Sequence, residues 1–366
     1  MKFTDLDLSP GVLKSLQKMG FEDMTPIQEE VYPVISEGRD LCAVAETGSG
    51  KTAACVIPLM KNVDPKHNAV QMLIIVPTRE LCLQYVGEIN QIGKDSGVVP
   101  FGIYGGFSKS IQRAKLKHEV HALVATPGRL IDLVYDGLLE FPDVNTVILD
   151  EADELLNEGF IDDIKFILSL LRQKHQTLLF SATMPADVRK LAEEYLSDPV
   201  NISLTSRQAQ PSSIKHVFCS VPNKKKMKRF ESFMKKEKHK QVIFFCNSRN
   251  RVDELYSDLK KKNKQIDYIH GGLSQDVRTS IFRRFKSGKL RMLVATDVAG
   301  RGLDFSNVTH IINWEFPRDP EQYTHRTGRA GRMGRKGTAF TFVSKRDVSK
   351  VKRMIKKNKI KDKWLD

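Results

Sequence analysis

Residues 41–52 read Leu41-Cys42-Ala43-Val44-Ala45-Glu46-Thr47-Gly48-Ser49-Gly50-Lys51-Thr52, and a mostly apolar stretch of helical length follows. The pattern predicts a buried strand, a glycine-rich turn and a helix, the unit from which parallel α/β sheets are built. Glycines at 48 and 50 let backbone amides close around phosphate oxygens at the start of that helix. Lys51 is placed to give a point charge to the outer phosphates, and the Thr52 hydroxyl to ligate Mg²⁺. Ala45 stands where the general pattern G-x-x-x-x-G-K-[ST] has its first glycine. A bare G-x-G-K-T also occurs as a plain flexible turn; the strand before it and the helix after it favour a phosphate cradle.

Outward from that turn, apolar runs rich in β-branched residues recur at Leu41 to Ala45, Met72 to Val76, Ala122 to Ala125, Val147 to Leu149 and Leu178 to Phe180. The pattern then restarts at Val242 to Cys246, Ile266 to Ile269, Met292 to Ala295, His310 to Asn313 and Thr338 to Val343. With amphipathic stretches between them, these runs predict an α/β fold of βαβ units, each sheet mostly parallel and flanked by helices. At roughly 150 residues per domain, a chain of 366 residues makes two such domains and excludes a small disulfide-stapled module. The polar stretch Thr205 to Ser213 contains a proline and reads as a short linker. The expected division is a first domain over 1–204, the linker over 205–213, a second domain over 214–344 and a basic C-terminal helix and tail over 345–366. In that last segment Val348, Val351, Ile355 and Ile360 form a thin apolar thread, enough to dock one helix and leave a frayed basic tail.

Charge divides the chain as the pattern does. From Arg207 onward there are 40 basic and 15 acidic residues, +25, which leaves 19 and 29, −10, for Met1 to Ser206. The asymmetry suggests a polyanionic partner held mainly by the second half; attraction between the halves and a merely solvated basic surface remain open. Five cysteines, Cys42, Cys55, Cys82, Cys219 and Cys246, are an odd number without a C-x-x-C pair, which disfavours a disulfide framework or zinc site and fits a reducing compartment. The first residues carry no apolar h-region, and no stretch approaches the roughly 18 apolar residues of a membrane span. A cytoplasmic protein without membrane association is expected.

The run Val147-Ile148-Leu149 leads straight into Asp150-Glu151-Ala152-Asp153. A carboxylate at the C-terminal end of a parallel strand, beside a phosphate loop, is where a metal ion is held. Asp150 suits Mg²⁺ through water, and Glu151 is placed to orient or deprotonate an attacking water. Alone, the stretch would be an acidic helix start that meets the helix dipole; paired with the phosphate loop, the metal reading prevails. Near the other end, His325-Arg326-Thr327-Gly328-Arg329-Ala330-Gly331-Arg332 packs three arginines and a histidine among glycines. Arginine forks match phosphate oxygens and can stabilise charge that develops on a transferred phosphoryl group.

Asp150 to Asp153 spell DEAD, and from Phe3 to Arg332 the chain resembles, motif by motif and in order, the helicase core of the DEAD-box RNA helicases of superfamily 2. The resemblance implies two tandem RecA-like domains that close on ATP, Mg²⁺ and one RNA strand. Thr25-Pro26-Ile27-Gln28 after Gly20-Phe21 resembles the Q motif, which implies that the Gln28 amide reads adenine while the Phe21 ring packs on the base. ATP is then held by Phe21, Gln28, Ala45, Glu46, Thr47, Gly48, Ser49, Gly50, Lys51, Thr52 and, from the second domain, Asp304; the metal falls to Thr52 and Asp150. Catalysis is implied for Lys51, Asp150, Glu151 and the arginine fingers Arg329 and Arg332. Ser181-Ala182-Thr183 resembles the coupling motif, whose Ser181 and Thr183 hydroxyls bond to the segment around Asp153, with His325 joining from the second domain.

The RNA-contacting segments of the family match Thr78-Arg79, Gly105-Gly106 and Thr126 to Arg129 in the first domain. In the second they match Asn247 to Arg249, His270-Gly271, Arg278, and Thr296 to Gly300. Each alone is a plausible helix cap or strand-end turn; the ordered series favours backbone contact, so that Thr78, Arg79, Gly106, Thr126, Arg129, Arg249, Gly271, Arg278, Thr296 and Gly300 bind RNA largely independently of sequence. The expected activity is an RNA-stimulated ATPase that locally unwinds short duplexes or remodels RNA–protein complexes. Two rivals stay open: an ATP-gated RNA clamp that rarely unwinds, and a P-loop ATPase directed to DNA or to no nucleic acid. A monomer is the default, and targeting falls to the basic tail or to protein partners.

Overall fold

Apolar tetrapeptides such as Met72–Ile75 and Ala122–Ala125 are buried on both faces, the condition a parallel sheet covered by helices imposes on its strands. The computed structural model describes residues 1–45, 49–171, 173–204, 214–237, 239–297, 307–330 and 336–365. It divides into two units, Met1–Thr205 and Ser206–Asp366. The linker expected over 205–213 lies outside the described residues.

The first unit carries β1 (Leu41–Val44), β2 (Met72–Ile75), β3 (Pro100–Ile103), β4 (Ala122–Ala125), β5 (Thr146–Leu149), β6 (Gln176–Ser181) and β7 (Val200–Ser203). They form one sheet in the order β3-β4-β2-β5-β6-β1-β7, every neighbouring pair parallel. The second unit carries β8 (Ile214–Cys219), β9 (Gln241–Cys246), β10 (Ile266–Ile269), β11 (Met292–Thr296), β12 (Val308–Asn313), β13 (Gly337–Phe342) and β14 (Asp362–Leu365). Its sheet runs β10-β11-β9-β12-β13-β8-β14, again parallel throughout. Numbered within each unit, both orders are 3-4-2-5-6-1-7. Helices cover both faces of each sheet, so each unit has a core on either side.

Parallel pairing has one consequence for chemistry: all strands of a unit end at the same edge. The segments after β1, β2, β3, β4, β5 and β6 therefore gather along one rim, where open α/β sheets bind ligands.

The expected strands are all present, with ends within about two residues of the apolar runs. Four more are not in that reading: β3, β7, β8 and β14. Three of them are sheet edges. β3 contains Pro100 and Gly102, β7 buries only Ile202 fully, and β14 has two exposed residues, so none carries a strong apolar signature. The C-terminal tail is not frayed: after the helix Val348–Lys357, β14 pairs with β8, and Trp364 stacks on Phe218 at 5.4 Å between ring centroids.

Candidate active site

The helix Lys51–Leu59 begins directly behind Gly50, whose φ of +96° is left-handed. A Cβ there would meet Gln28 Nε2 at 2.9 Å and Thr25 Oγ1 at 3.1 Å, so conformation and crowding both call for glycine. Gln28 belongs to a capping arrangement at the start of the helix Pro26–Ser36: its Oε1 accepts from the Thr25 amide at 2.8 Å, while its Nε2 donates to the Gly50 carbonyl at 3.4 Å. The segment expected to read the base thus abuts the phosphate loop. Phe21 is half-buried, edge-on to Phe3 at 5.9 Å. Lys51 is buried and donates from Nζ to the Ala45 carbonyl at 2.9 Å. The Ala45 amide in turn donates to the Ser181 carbonyl at 3.0 Å, tying the start of the loop to β6. Ser49 is half-buried beside Gly50, whereas Glu46, Thr47 and Gly48 lie outside the described residues.

At the end of β5, Asp150 is 2% exposed and has no ion-pair partner among the described residues. Its Oδ2 accepts from the Tyr85 hydroxyl at 2.7 Å and its Oδ1 from the Glu151 amide at 2.8 Å. Burial, with the Asp150 charge adding to it, pushes the Tyr85 phenol well up, so it remains a donor. Glu151 sits at φ +51°, a left-handed conformation that a side chain adopts at a cost of about 1–3 kcal/mol. Asp153 joins the Ser181–Thr183 segment: its Oδ2 accepts from the Thr183 hydroxyl at 2.7 Å and amide at 2.9 Å, while its own amide donates to Ser181 Oγ at 3.1 Å. The structure therefore brings Asp153, Ser181 and Thr183 together.

These oxygens suit a hard divalent ion. Among the described residues no three His, Cys, Asp or Glu side chains cluster as a metal cage. A buried carboxylate without a cation and a hydroxyl on the neighbouring helix start match Mg²⁺, which takes few protein ligands and completes its shell with water and phosphate oxygens.

Along the same rim, Thr78 caps the helix Arg79–Ile92, its Oγ1 accepting from the Leu81 amide at 3.2 Å. The Arg79 guanidinium lies over the Tyr104 ring, 4.6 Å from its centroid, beside Gly105 and Gly106. Gly106 is left-handed at φ +73°. Thr126 precedes the helix Pro127–Tyr135, and Arg129 Nη1 donates to the Phe107 carbonyl at 2.9 Å, so part of its fork is engaged within the protein.

The second unit repeats the arrangement. Ser248 caps the helix Arg249–Lys260, and Arg249 reaches the glycine pair after β10, where a Cβ on Gly271 would lie 3.3 Å from its Nη2. Arg278 is half-buried on the helix Gln275–Lys286, and Thr296 ends β11. His325 is on the helix Glu321–Thr327, and Arg329, 4% exposed, donates from Nε to the His325 carbonyl at 3.2 Å. Gly300, Asp304 and Arg332 lie outside the described residues.

Three side chains with contacts at these strand ends escape the sequence reading. Arg326 is 2% exposed and holds three strand-end segments at once. It pairs through Nε and Nη2 with both carboxylate oxygens of Asp297, donates at 2.8 Å to Asn247 Oδ1 and to the Glu315 carbonyl, and lies over Phe245. It is a clamp, and within an arginine-rich run nothing distinguishes a clamp from a finger. Tyr85 and Gln84 are the others: Gln84 Nε2 donates to Thr52 Oγ1 at 3.4 Å. Helical spacing marks Tyr85 only as a core aromatic.

A family model described as DEAD/DEAH box helicase matches residues 25–191, and one described as Helicase conserved C-terminal domain matches residues 225–334. The chain is 43% identical over 349 residues to a protein named DEAD-box ATP-dependent RNA helicase CshA of Geobacillus kaustophilus, covering 95% of this chain and 75% of that protein. Its namesake in Bacillus subtilis is 41% identical over 347 residues, with 95% and 70% covered. Among solved structures, S. cerevisiae Dbp5 bound to RNA and ADP BeF3 superposes with a TM-score of 0.91 at 27% identity, over 100% of this chain and 95% of that one. Mss116p bound to ssRNA and AMP-PNP gives 0.88 at 29% identity, over 98% and 78%.

Proposed function

The chain belongs to the DEAD-box ATP-dependent RNA helicases, and from that premise we propose how its residues divide the work of an RNA-stimulated ATP hydrolase that locally unwinds short duplexes. Lys51 neutralises the outer phosphates, and the adenine is read by Gln28 with Phe21. Thr52 and Asp150 hold Mg²⁺, which when bound screens phosphate charge. Glu151 orients the attacking water and takes its proton, while Arg329 and Arg332 meet the charge developing on the transferred phosphoryl group. Thr78, Arg79, Gly106, Thr126 and Arg129 grip the RNA backbone from one unit, and Arg249, Gly271, Arg278, Thr296 and Gly300 from the other. Asp153, Ser181 and Thr183 connect the two tasks. The working unit is a single chain acting in the cytoplasm, where its five buried thiols stay reduced. Among the described residues no helix is long and apolar enough to cross a membrane.

The observation that carries this reading is the buried Asp150–Glu151 pair at the end of β5, on the rim that also bears Lys51 and Thr52. Phosphate release measured with and without single-stranded RNA, at two salt concentrations, tests it. RNA should raise turnover, salt should weaken the stimulation, and a short RNA duplex should lose a strand when ATP is present. Turnover indifferent to RNA would overturn the reading, turnover driven equally by DNA would redirect it, and turnover without strand loss would leave a clamp.

A further inference from the structure

The helix Arg79–Ile92 touches the nucleotide site at two consecutive residues. Tyr85 is fully buried and donates its hydroxyl to Asp150 Oδ2 at 2.7 Å. Gln84 donates from Nε2 to Thr52 Oγ1 at 3.4 Å, and to Glu88 Oε1 at 3.3 Å. Of these acceptors, Asp150 and Thr52 are the residues assigned above to the metal. The same helix is capped by Thr78 and begins at Arg79, which lies over Tyr104 at the rim. Six residues separate Arg79 from Tyr85, roughly 9 Å of rigid helix at 1.5 Å per residue.

A phenol is an expensive way to fill this space. Phenylalanine or leucine would bury as much apolar area, and a buried hydroxyl costs free energy unless it finds a partner. Its partners here are the Asp150 carboxylate and, at 3.5 Å, the Cys55 sulfur. Cys55 lies one turn beyond Lys51, bonded to the Lys51 carbonyl at 3.2 Å, and its small side chain leaves the ring room to reach β5. With Glu151 donating to Oδ1 and Tyr85 to Oδ2, each oxygen of Asp150 has one position fixed and lone-pair capacity to spare.

We propose that Tyr85 is a positioning residue for the Asp150 carboxylate, and that with Gln84 it makes this helix the rod through which RNA held at Thr78 and Arg79 is felt at the phosphate and metal site. The proposal rests on the function assigned above. It accounts for a buried polar side chain that no step of hydrolysis uses, and it gives the first unit a route from RNA to nucleotide separate from Asp153, Ser181 and Thr183.

The test reads RNA binding, not turnover. Fluorescence anisotropy of a labelled single-stranded RNA is followed against Mg²⁺ concentration with ADP and beryllium fluoride present, and once without nucleotide. Tyr85→Phe keeps the ring, and Gln84→Leu, half-exposed, serves as a second variant should the first lose its fold by circular dichroism. Each should raise the Mg²⁺ needed for half-maximal binding by about tenfold, the lower end of what losing a partner of a metal ligand costs. RNA binding without nucleotide should stay unchanged. A parent that responds to Mg²⁺ and nucleotide, with folded variants whose curves overlay it, overturns the positioning role alone. A parent whose RNA binding ignores Mg²⁺ and nucleotide overturns the functional reading and this inference together.

Discussion

The two units share a strand order, 3-4-2-5-6-1-7, but only some of their rims are alike. After β2 and after β9 the chain places a hydroxyl cap followed by arginine, Thr78-Arg79 and Ser248-Arg249; after β3 and β10 it places a glycine pair, Gly105-Gly106 and Gly271-Gly272. In both units the arginine crosses to the glycine-pair segment, over Tyr104 in one case and against Gly271 in the other. The other rim positions diverge. β1 leads to the phosphate loop, while β8 leads to Ser220-Val221-Pro222. Asp150 after β5 accepts from two neutral donors, the Tyr85 hydroxyl and the Glu151 amide, whereas Glu315 after β12 accepts from the Asn247 amide at 3.0 Å and lies 3.4 Å from Arg251. The described residues thus repeat the cap–arginine and glycine-pair segments in both units, while of these two strand-end carboxylates only Glu315 lies beside an arginine.

The sharpest way to break that contrast is at the carboxylates that end β5. Glu151→Gln should lower phosphate release by about 10²–10⁴-fold, the range for losing a general base, while ATP stays bound and RNA dissociates slowly. Single-turnover phosphate release and RNA off-rates measure both, and normal release would remove Glu151 from its role. In the second unit the equivalent vulnerability is structural. Arg326→Ala strands the Asp297 carboxylate, half-buried beside it, and should cost about 3–5 kcal/mol, because breaking a buried pair leaves one charge uncompensated. Urea unfolding should show the loss in one transition and leave the first unit's transition in place. A uniform shift would mean that the units unfold as one.

A smaller asymmetry concerns pH. His216 on β8 is buried, its Nδ1 lies 2.8 Å from the Tyr323 hydroxyl, and burial lowers its pKa from 6.5 to about 4. The folded state therefore favours the neutral ring. Its contribution is complete above the unfolded value near 6.5 and is lost as pH falls toward 4. At pH 5 the second unit should be less stable than at pH 7 by about 2 kcal/mol from this residue, and His216→Gln should flatten the difference. An unchanged pH response would assign the sensitivity to other groups.

Much of this was legible in the sequence where physics is local. Val-, Ile- and Leu-rich runs announced the interior strands because a parallel sheet buries both faces, and Gly50 announced a turn that no side chain tolerates. The edge strands β3, β7 and β14 stayed hidden because an edge needs few apolar residues, and pairing partners distant in sequence created them. Tyr85 and Arg326 were hidden for a related reason: their bonds to Asp150 and Asp297 span 65 and 29 residues. A side chain's type tells what it can bond, and only the fold tells which acceptor it meets. The repeat itself was legible, since the strand pattern restarts after the linker and the family resemblance implies two tandem RecA-like domains.

The most delicate test asks whether the repeated rims do equal work. Removing the caps by Thr78→Ala and Ser248→Ala should cost about 1 kcal/mol of stability each, as lost side-chain caps do, and equal losses would say only that the folds correspond. The arginines report function. If Arg79 and Arg249 each meet a phosphate, Arg79→Ala and Arg249→Ala should each weaken RNA binding for every sequence and lower the slope of log affinity against log salt by about 1. If the two contacts act independently, the double variant should show the sum of the single effects. A slope that changes for one arginine and not for the other would make the correspondence one of architecture alone. Stacked on Tyr104, Arg79 would then be a support for its own loop, and the basic second unit would hold the strand with the first unit supplying only shape.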